Sequence, residues 1–118
     1  TNSVNDLFTV DNTDGNQALT YPIGLITADE LMLSGYADGY LNRTAYTYSS
    51  STYWTMSPSY FSTPEVVSRE FALNSDGYIA STNLLTTYGV RGVINLRGNV
   101  EIESGIGTAN DPYIVKVA

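Results

Sequence analysis

Apolar and polar positions alternate most regularly from Tyr53 to Tyr60, where Trp54 and Met56 interleave with Tyr53, Thr55 and Ser57. That period of two predicts a strand, which Pro58 ends by removing a backbone donor. Trp54 carries the largest apolar surface in the chain, and the pattern predicts it at the centre of the core. Upstream, Tyr21 to Gly35 gives a helix signal. Thr27 is placed to cap the helix, with Glu30 returning the bond as a capping box. Ile26 and Leu31 suit a hydrophobic staple, Asp29 and Glu30 sit where the macrodipole favours acids, and Gly35 offers the stop. Asn5 to Val10 reads as a short edge strand anchored by Leu7 and Phe8, and Asp11 to Gln17 as a turn around Asp14-Gly15.

Tyr36 to Ser51 has neither helical nor strand periodicity and reads as a long loop of tyrosine, serine and asparagine, a composition found in binding surfaces and mobile covers. Val66 to Asn74 alternates as a strand and is expected to turn at Asp76-Gly77 and return through Tyr78 to Thr82. A two-residue turn there sets Leu73 opposite Ala80 and Phe71 opposite Thr82, with Phe71, Leu73, Tyr78 and Ala80 on the core face. Gly89 to Leu96 has apolar residues on both faces, as a central strand does. Val100 to Val117 reads as a terminal hairpin around a glycine-rich turn. The elements together predict one α+β domain over residues 1–118, mostly short antiparallel strands with one short helix near 27–35.

A chain of 118 residues is long enough for one core, burying roughly two thirds of its unfolded surface. Hydrophobic residues make up 42% and charged residues 14%, so its polar surface must come from Asn, Ser, Thr and Tyr. The ten tyrosines exceed what such a core can hold, so some face solvent or a partner. A net charge of −7, with Arg43, Arg69, Arg91, Arg97 and Lys116 unclustered, disfavours nucleic acid and anionic membranes. Cysteine and histidine are both absent, which removes thiolate nucleophiles, imidazole bases, disulfides and ordinary zinc ligation. No run of about 18 apolar residues and no signal peptide appears, as expected of a soluble chain or the excised mature part of a longer protein.

Candidate chemistry is sparse. Asp29 and Glu30 point about 100° apart on a helix, which suits capping rather than a catalytic pair. Glu101 and Glu103 project from one strand face roughly 6 to 7 Å apart, a glycosidase-like separation, yet their alternation with Val100 and Ile102 is that of acids facing water. Oxygen ligands crowd at Asp11 to Gln17, but the spacing is not that of an EF-hand and suits a turn. Arg91 is expected to be buried and paired with a carboxylate or carbonyls rather than exposed, a structural residue alongside Trp54, Thr27 and Glu30, with ligand binding as the lesser alternative. No catalytic residue, metal ligand or cofactor is assigned. The binding candidates are Tyr36, Tyr40, Tyr46, Tyr48 and Tyr60, with packing over Trp54 as the alternative for two of the loop tyrosines.

Four segments in order, Y-P-I-G-L-I-T-A-D-E from Tyr21, Y-W-T-M-S-P-S from Tyr53, G-V-R-G-V-I-N-L from Gly89 and S-G-I-G-T-A-N-D-P-Y-I-V from Ser104, resemble an uncharacterised family of Gram-positive and gut-associated bacteria. The resemblance spans residues 5–117 and departs from the family at Gly92, where proline is expected. It implies a C-type-lectin-like fold, distantly similar to the formylglycine-generating enzyme, often the exposed part of proteins with a prepilin-type N-terminus. Formylglycine chemistry uses cysteines that are absent, and the E-P-N, Q-P-D and W-N-D sugar-binding motifs of calcium-dependent lectins do not occur.

The expectation is therefore a noncatalytic extracellular or cell-surface domain, the head of a pilin-like or other filament subunit. Its partners would be copies of itself in a filament, or a cell-surface, glycan or protein ligand met through the tyrosine loop, with no nucleic acid and no membrane insertion. Two alternatives remain. One is a receptor of the retroelement-diversified lectin type, and the other a glycoside-acting enzyme using Glu101 and Glu103.

Overall fold

The computed structural model describes residues 19–21, 23–64, 66–107 and 110–118. The strand expected at Asn5 to Val10 and the turn at Asp11 to Gln17 lie outside the described residues. The elements are β1 (Ile23–Leu25), α1 (Ala28–Leu33), β2 (Tyr53–Ser62), β3 (Val67–Leu73), β4 (Ile79–Asn83), β5 (Gly92–Ile94), β6 (Val100–Ser104) and β7 (Ile114–Val117). The strands pair antiparallel in a three-stranded sheet β2-β3-β4 and two two-stranded sheets, β1-β5 and β6-β7. The expected mixture of antiparallel strands and one short helix is what the described chain forms.

The helix forms where its local chemistry places it. Thr27 is extended at φ −84°, its Oγ1 accepts from the Glu30 amide at 3.1 Å, and a Glu30 carboxylate oxygen accepts from the Thr27 amide at 2.8 Å. Ile26 and Leu31, the two staple positions, are both core residues. The other end closes in a Schellman motif. Gly35 at φ +101° donates to Met32 at 3.0 Å, and Tyr36 donates to Leu31 at 3.2 Å. Tyr36 thereby enters the core beside Leu31.

The core is Ile26, Leu31, Tyr36, Tyr53, Leu73 and Ile79. Its floor is the register of the main sheet, in which Tyr53 faces Leu73 and Leu73 faces Ile79. The hairpin between β3 and β4 differs from expectation by one residue. Gly77 donates to the Asn74 carbonyl at 2.8 Å and Asn74 donates to Tyr78 at 2.9 Å, so Ser75 to Gly77 form a three-residue loop with Gly77 at φ +89°. Phe71 accordingly faces Ser81, and Ala72 rather than Leu73 faces Ala80. One slip exchanges the faces, bringing Ile79 into the core and sending Ala80 to the other side.

The tryptophan strand also turns its faces over. Tyr53, Thr55 and Ser57 are buried, while Trp54 and Met56 are half-buried on the opposite side. Trp54 faces Ala72 in register and tilts against Tyr88, with ring centroids 5.0 Å apart. The inward polar side chains are there because each completes a backbone bond. Thr55 donates to the Phe71 carbonyl at 2.8 Å, and Ser57 accepts from the Ala28 amide at 3.0 Å, satisfying an orphan donor of the helix. Pro58 does not end the strand, which runs on to Ser62 past register shifts on either side of it.

Gly89 to Leu96 is not a central strand. Only Gly92–Ile94 is regular, pairing with β1 so that Gly92 faces Leu25. Gly89 bonds the start of β2 and the residue before it, accepting from Trp54 at 3.1 Å and donating to Thr52 at 3.0 Å. The terminal hairpin forms as expected, although Ile102 is exposed instead of half-buried.

Because the Thr27 hydroxyl accepts from the Glu30 amide, Thr27→Ala should cost about 1 kcal/mol and Thr27→Ser only a few tenths. Urea denaturation of the three proteins checks this, and equal midpoints for Thr27→Ala and the parent would show that the cap contributes nothing.

Candidate functional site

The segment from Tyr36 to Thr52 lacks strand and helix, but it is pinned along its length. Asn42 is one anchor. Its amide donates to the Gly77 carbonyl at 2.7 Å, and its Oδ1 accepts from the Thr44 amide at 3.1 Å and the Thr44 hydroxyl at 3.0 Å. Its Nδ2 donates back to Gly35 at 3.0 Å. The Asn42-Arg43-Thr44 triplet is thus a turn whose amide is spent inside the fold. Arg43 pairs with Asp76 at 2.7 Å, an exposed contact that adds little stability by itself.

Thr47 is the second anchor and is buried. Its carbonyl oxygen accepts from the Tyr53 hydroxyl at 2.8 Å and from Nη1 of Arg91 at 2.7 Å. Its own hydroxyl lies 3.3 Å from the Tyr36 hydroxyl and 3.3 Å from the Ser34 hydroxyl. A third anchor is Tyr48, whose hydroxyl donates to the Ser75 carbonyl at 3.0 Å.

These bonds divide the candidate tyrosines. Tyr36 is only 3% exposed and belongs to the core, because the Schellman turn points it inward beside Leu31; it is not a surface contact. Tyr48 is half-buried and spends its hydroxyl inside the fold. Tyr40 and Tyr46 are 77% and 82% exposed on the pinned segment. Tyr60 is exposed on the far half of β2, opposite Arg69. The ring that packs against Trp54 is Tyr88 rather than a loop tyrosine.

Among the acids, Glu30 is bound into the cap and Asp29 is exposed in the first helical turn. Glu101 faces Lys116 across the β6-β7 pair, and Glu103 falls where that register shifts; both are exposed and neither lines a described cleft. No group of three or more acidic side chains that could hold a metal occurs among the described residues.

Beside the pinned segment is a cleft of about 550 Å³ between α1, β5 and Tyr46-Thr47. Ile26, Leu33, Val93 and Tyr53 supply apolar walls, Tyr46 stands on the rim, and Glu30 and Arg91 bring charge. A second depression of about 440 Å³, edged by Ser49, Ser51 and Thr52, shares Tyr53 and Arg91 with it. The Arg91 guanidinium carbon lies 5.6 Å from the Tyr53 ring centroid, a cation-π distance. Arg91, expected to be buried, is exposed, because the segment that carries it lies at the surface and not inside a sheet; its partner is a carbonyl, one of the two expected kinds, and no ion pair of it is seen among the described residues. Thr47 carried no signal in the sequence, because an isolated Thr in an aperiodic run looks like any solvated loop residue.

Burial raises the Tyr53 phenol above its ordinary value of 10.0, against the opposing pull of the Arg91 charge. A phenol whose folded value is raised lends stability that is whole below the unfolded value and lost as pH rises through the folded one. Denaturation midpoints should therefore hold steady up to about pH 10 and then fall more steeply for the parent than for Tyr53→Phe. Parallel curves for the two proteins would remove Tyr53 as the cause.

Gly77 combines φ +89° with a position where an added Cβ would lie 2.6 Å from the Asn42 carbonyl oxygen. Gly77→Ala should destabilise by about 2 kcal/mol and raise hydrogen exchange at the Asn42 amide. An unchanged Asn42 exchange rate would show that the turn does not hold the segment.

No helix among the described residues is long and apolar enough to cross a membrane. Compared with known proteins, the chain matches no family model, no curated protein and no solved structure.

Proposed function

We propose that this is a noncatalytic extracellular domain of C-type-lectin-like type, the exposed head of a pilin-like or other surface filament subunit. It makes adhesive contacts through a preset tyrosine platform. The observation that carries the reading is that Tyr40 and Tyr46 stand 77% and 82% exposed on a segment whose backbone is fixed between them by Asn42 and beyond them by Thr47 and Tyr48. Large aromatic side chains offered to water on a fixed backbone lose little entropy on binding and bring apolar area together with a polar tip. Leu41, also exposed, adds apolar surface between them.

Composition supports the same reading. A surface made polar by hydroxyls and amides makes hydrogen bonds with little ionic attraction, which suits contact with neutral surfaces such as glycans or a second copy of the chain. Among the described residues, antiparallel strands and one short capped helix agree with the α+β class expected, and the ordered motifs are what support the finer lectin-like reading.

The test is binding of labelled domain to a panel of bacterial and host cell surfaces. Replacing Tyr40 and Tyr46 together by Ala should weaken binding at least about ten-fold while leaving the unfolding free energy within about 0.5 kcal/mol of the parent. Retention of full binding by the double variant would end the platform reading.

A further inference from the structure

We infer that the cleft between α1, β5 and Tyr46-Thr47 is a binding site for an apolar carboxylate, a ligand with a hydrophobic body and one free carboxyl group. The inference begins with how Arg91 is held. A carboxylate partner would cancel the charge of an arginine as well as satisfy its donors. Here Nη1 meets the Thr47 carbonyl at 2.7 Å, a dipole that orients the guanidinium and leaves it with its full charge. Arg91 is the one cation among the residues that line this cleft.

The rest of the cleft selects what accompanies the carboxyl group. Its volume of about 550 Å³ falls in the range of small-molecule sites, and Ile26, Leu33, Val93 and Tyr53 line it with apolar surface. The Tyr46 ring at the rim, 82% exposed, is placed to close over an aliphatic or aromatic body. Glu30, the other charge on the wall, has a carboxylate oxygen already taken by the Thr27 amide at 2.8 Å and the Thr27 hydroxyl at 3.0 Å. Glu30 keeps its charge but is fixed at the start of α1 by those bonds, so Arg91 is the group able to pair with an anion, and the Tyr53 ring against it limits how far the guanidinium can swing away.

Two sources present this chemistry, a free small acid and the C-terminal residue of a polypeptide. The probe for the first is N-acetyl-L-phenylalanine, with N-acetyl-L-phenylalaninamide as the uncharged control. Titrations followed by amide shifts of Gly92 and Val93 should give binding on the order of 1 mM for the acid and at least about ten-fold weaker for the amide. Raising salt from about 50 to about 500 mM should weaken the acid alone. A short peptide ending in Phe with a free carboxyl group, compared with its C-terminal amide, separates the sources. Tighter binding of the free-ended peptide than of the acetylated residue assigns the site to chain ends; equal or weaker binding assigns it to small acids.

Arg91→Gln should abolish the difference between acid and amide. Should that variant fail to fold for want of the Thr47 bond, the comparison on the parent still decides. Equal affinity for acid and amide, or no shift with either, overturns the inference. The inference deepens the adhesion reading only through Tyr46, and the two fail separately. Tyr40→Ala touches the platform alone and leaves acid binding unchanged, so loss of cell binding with acid binding intact condemns neither.

Discussion

The carbonyl oxygen of Thr47 is the point on which the irregular half of the structure depends. Burying a loop carbonyl without a partner costs on the order of 1–3 kcal/mol, and a long aperiodic segment cannot cross a core unless such groups are answered. Thr47 is answered twice, by the Tyr53 hydroxyl and by Arg91, which ties the segment to β2 on one side and to the approach of β5 on the other. Its hydroxyl adds the Tyr36 and Ser34 contacts, so the exit of α1 joins the same knot. Four distant parts of the chain are thereby fixed against one another by a residue with no intrinsic preference for any of them.

That knot also explains which parts of the fold were legible in the sequence. The capping box could be read because all its partners lie within three residues, and Thr27 and Glu30 bond as their spacing predicts. The terminal hairpin could be read for a similar reason. The faces of β2 could not, because the rule that apolar residues point inward assumes that inward positions have nothing to bond. Thr55 and Ser57 point inward to complete the Phe71 carbonyl and the Ala28 amide, a need created by elements far away in sequence. Trp54 then takes the outer face, where it covers Ala72 and meets Tyr88.

The β3-β4 register failed on a smaller matter with a larger effect. Asp76-Gly77 is a strong two-residue turn signal, but Asn74 closes the loop one residue earlier, and its Oδ1 accepts from the Asp76 amide at 2.8 Å. The three-residue loop puts Gly77 where its carbonyl can accept from Asn42. The tyrosine segment therefore rests on this three-residue turn. Gly89 to Leu96 misled in the opposite sense, since apolar residues on both sides of a segment also arise when it is short and exposed. Val90, Ile94 and Leu96 are all exposed. Of the five candidate tyrosines, Tyr36 was lost to the core through a helix stop that Gly35 announced, whereas the inward turn of the next residue depended on Leu31 being there to meet it.

The structural and binding roles of Arg91 do not compete. A salt bridge would have bound the guanidinium more tightly and cancelled the charge, and a free surface arginine would have kept the charge with no fixed direction. A carbonyl partner does neither, since it accepts a strong charge-assisted bond and carries no net charge of its own. The Tyr53 ring adds attraction that likewise leaves the cation intact. In a protein with so few charges, orienting a cation by a carbonyl and a ring preserves it for a partner, and the cleft that opens beside Arg91 is where such a partner would meet it.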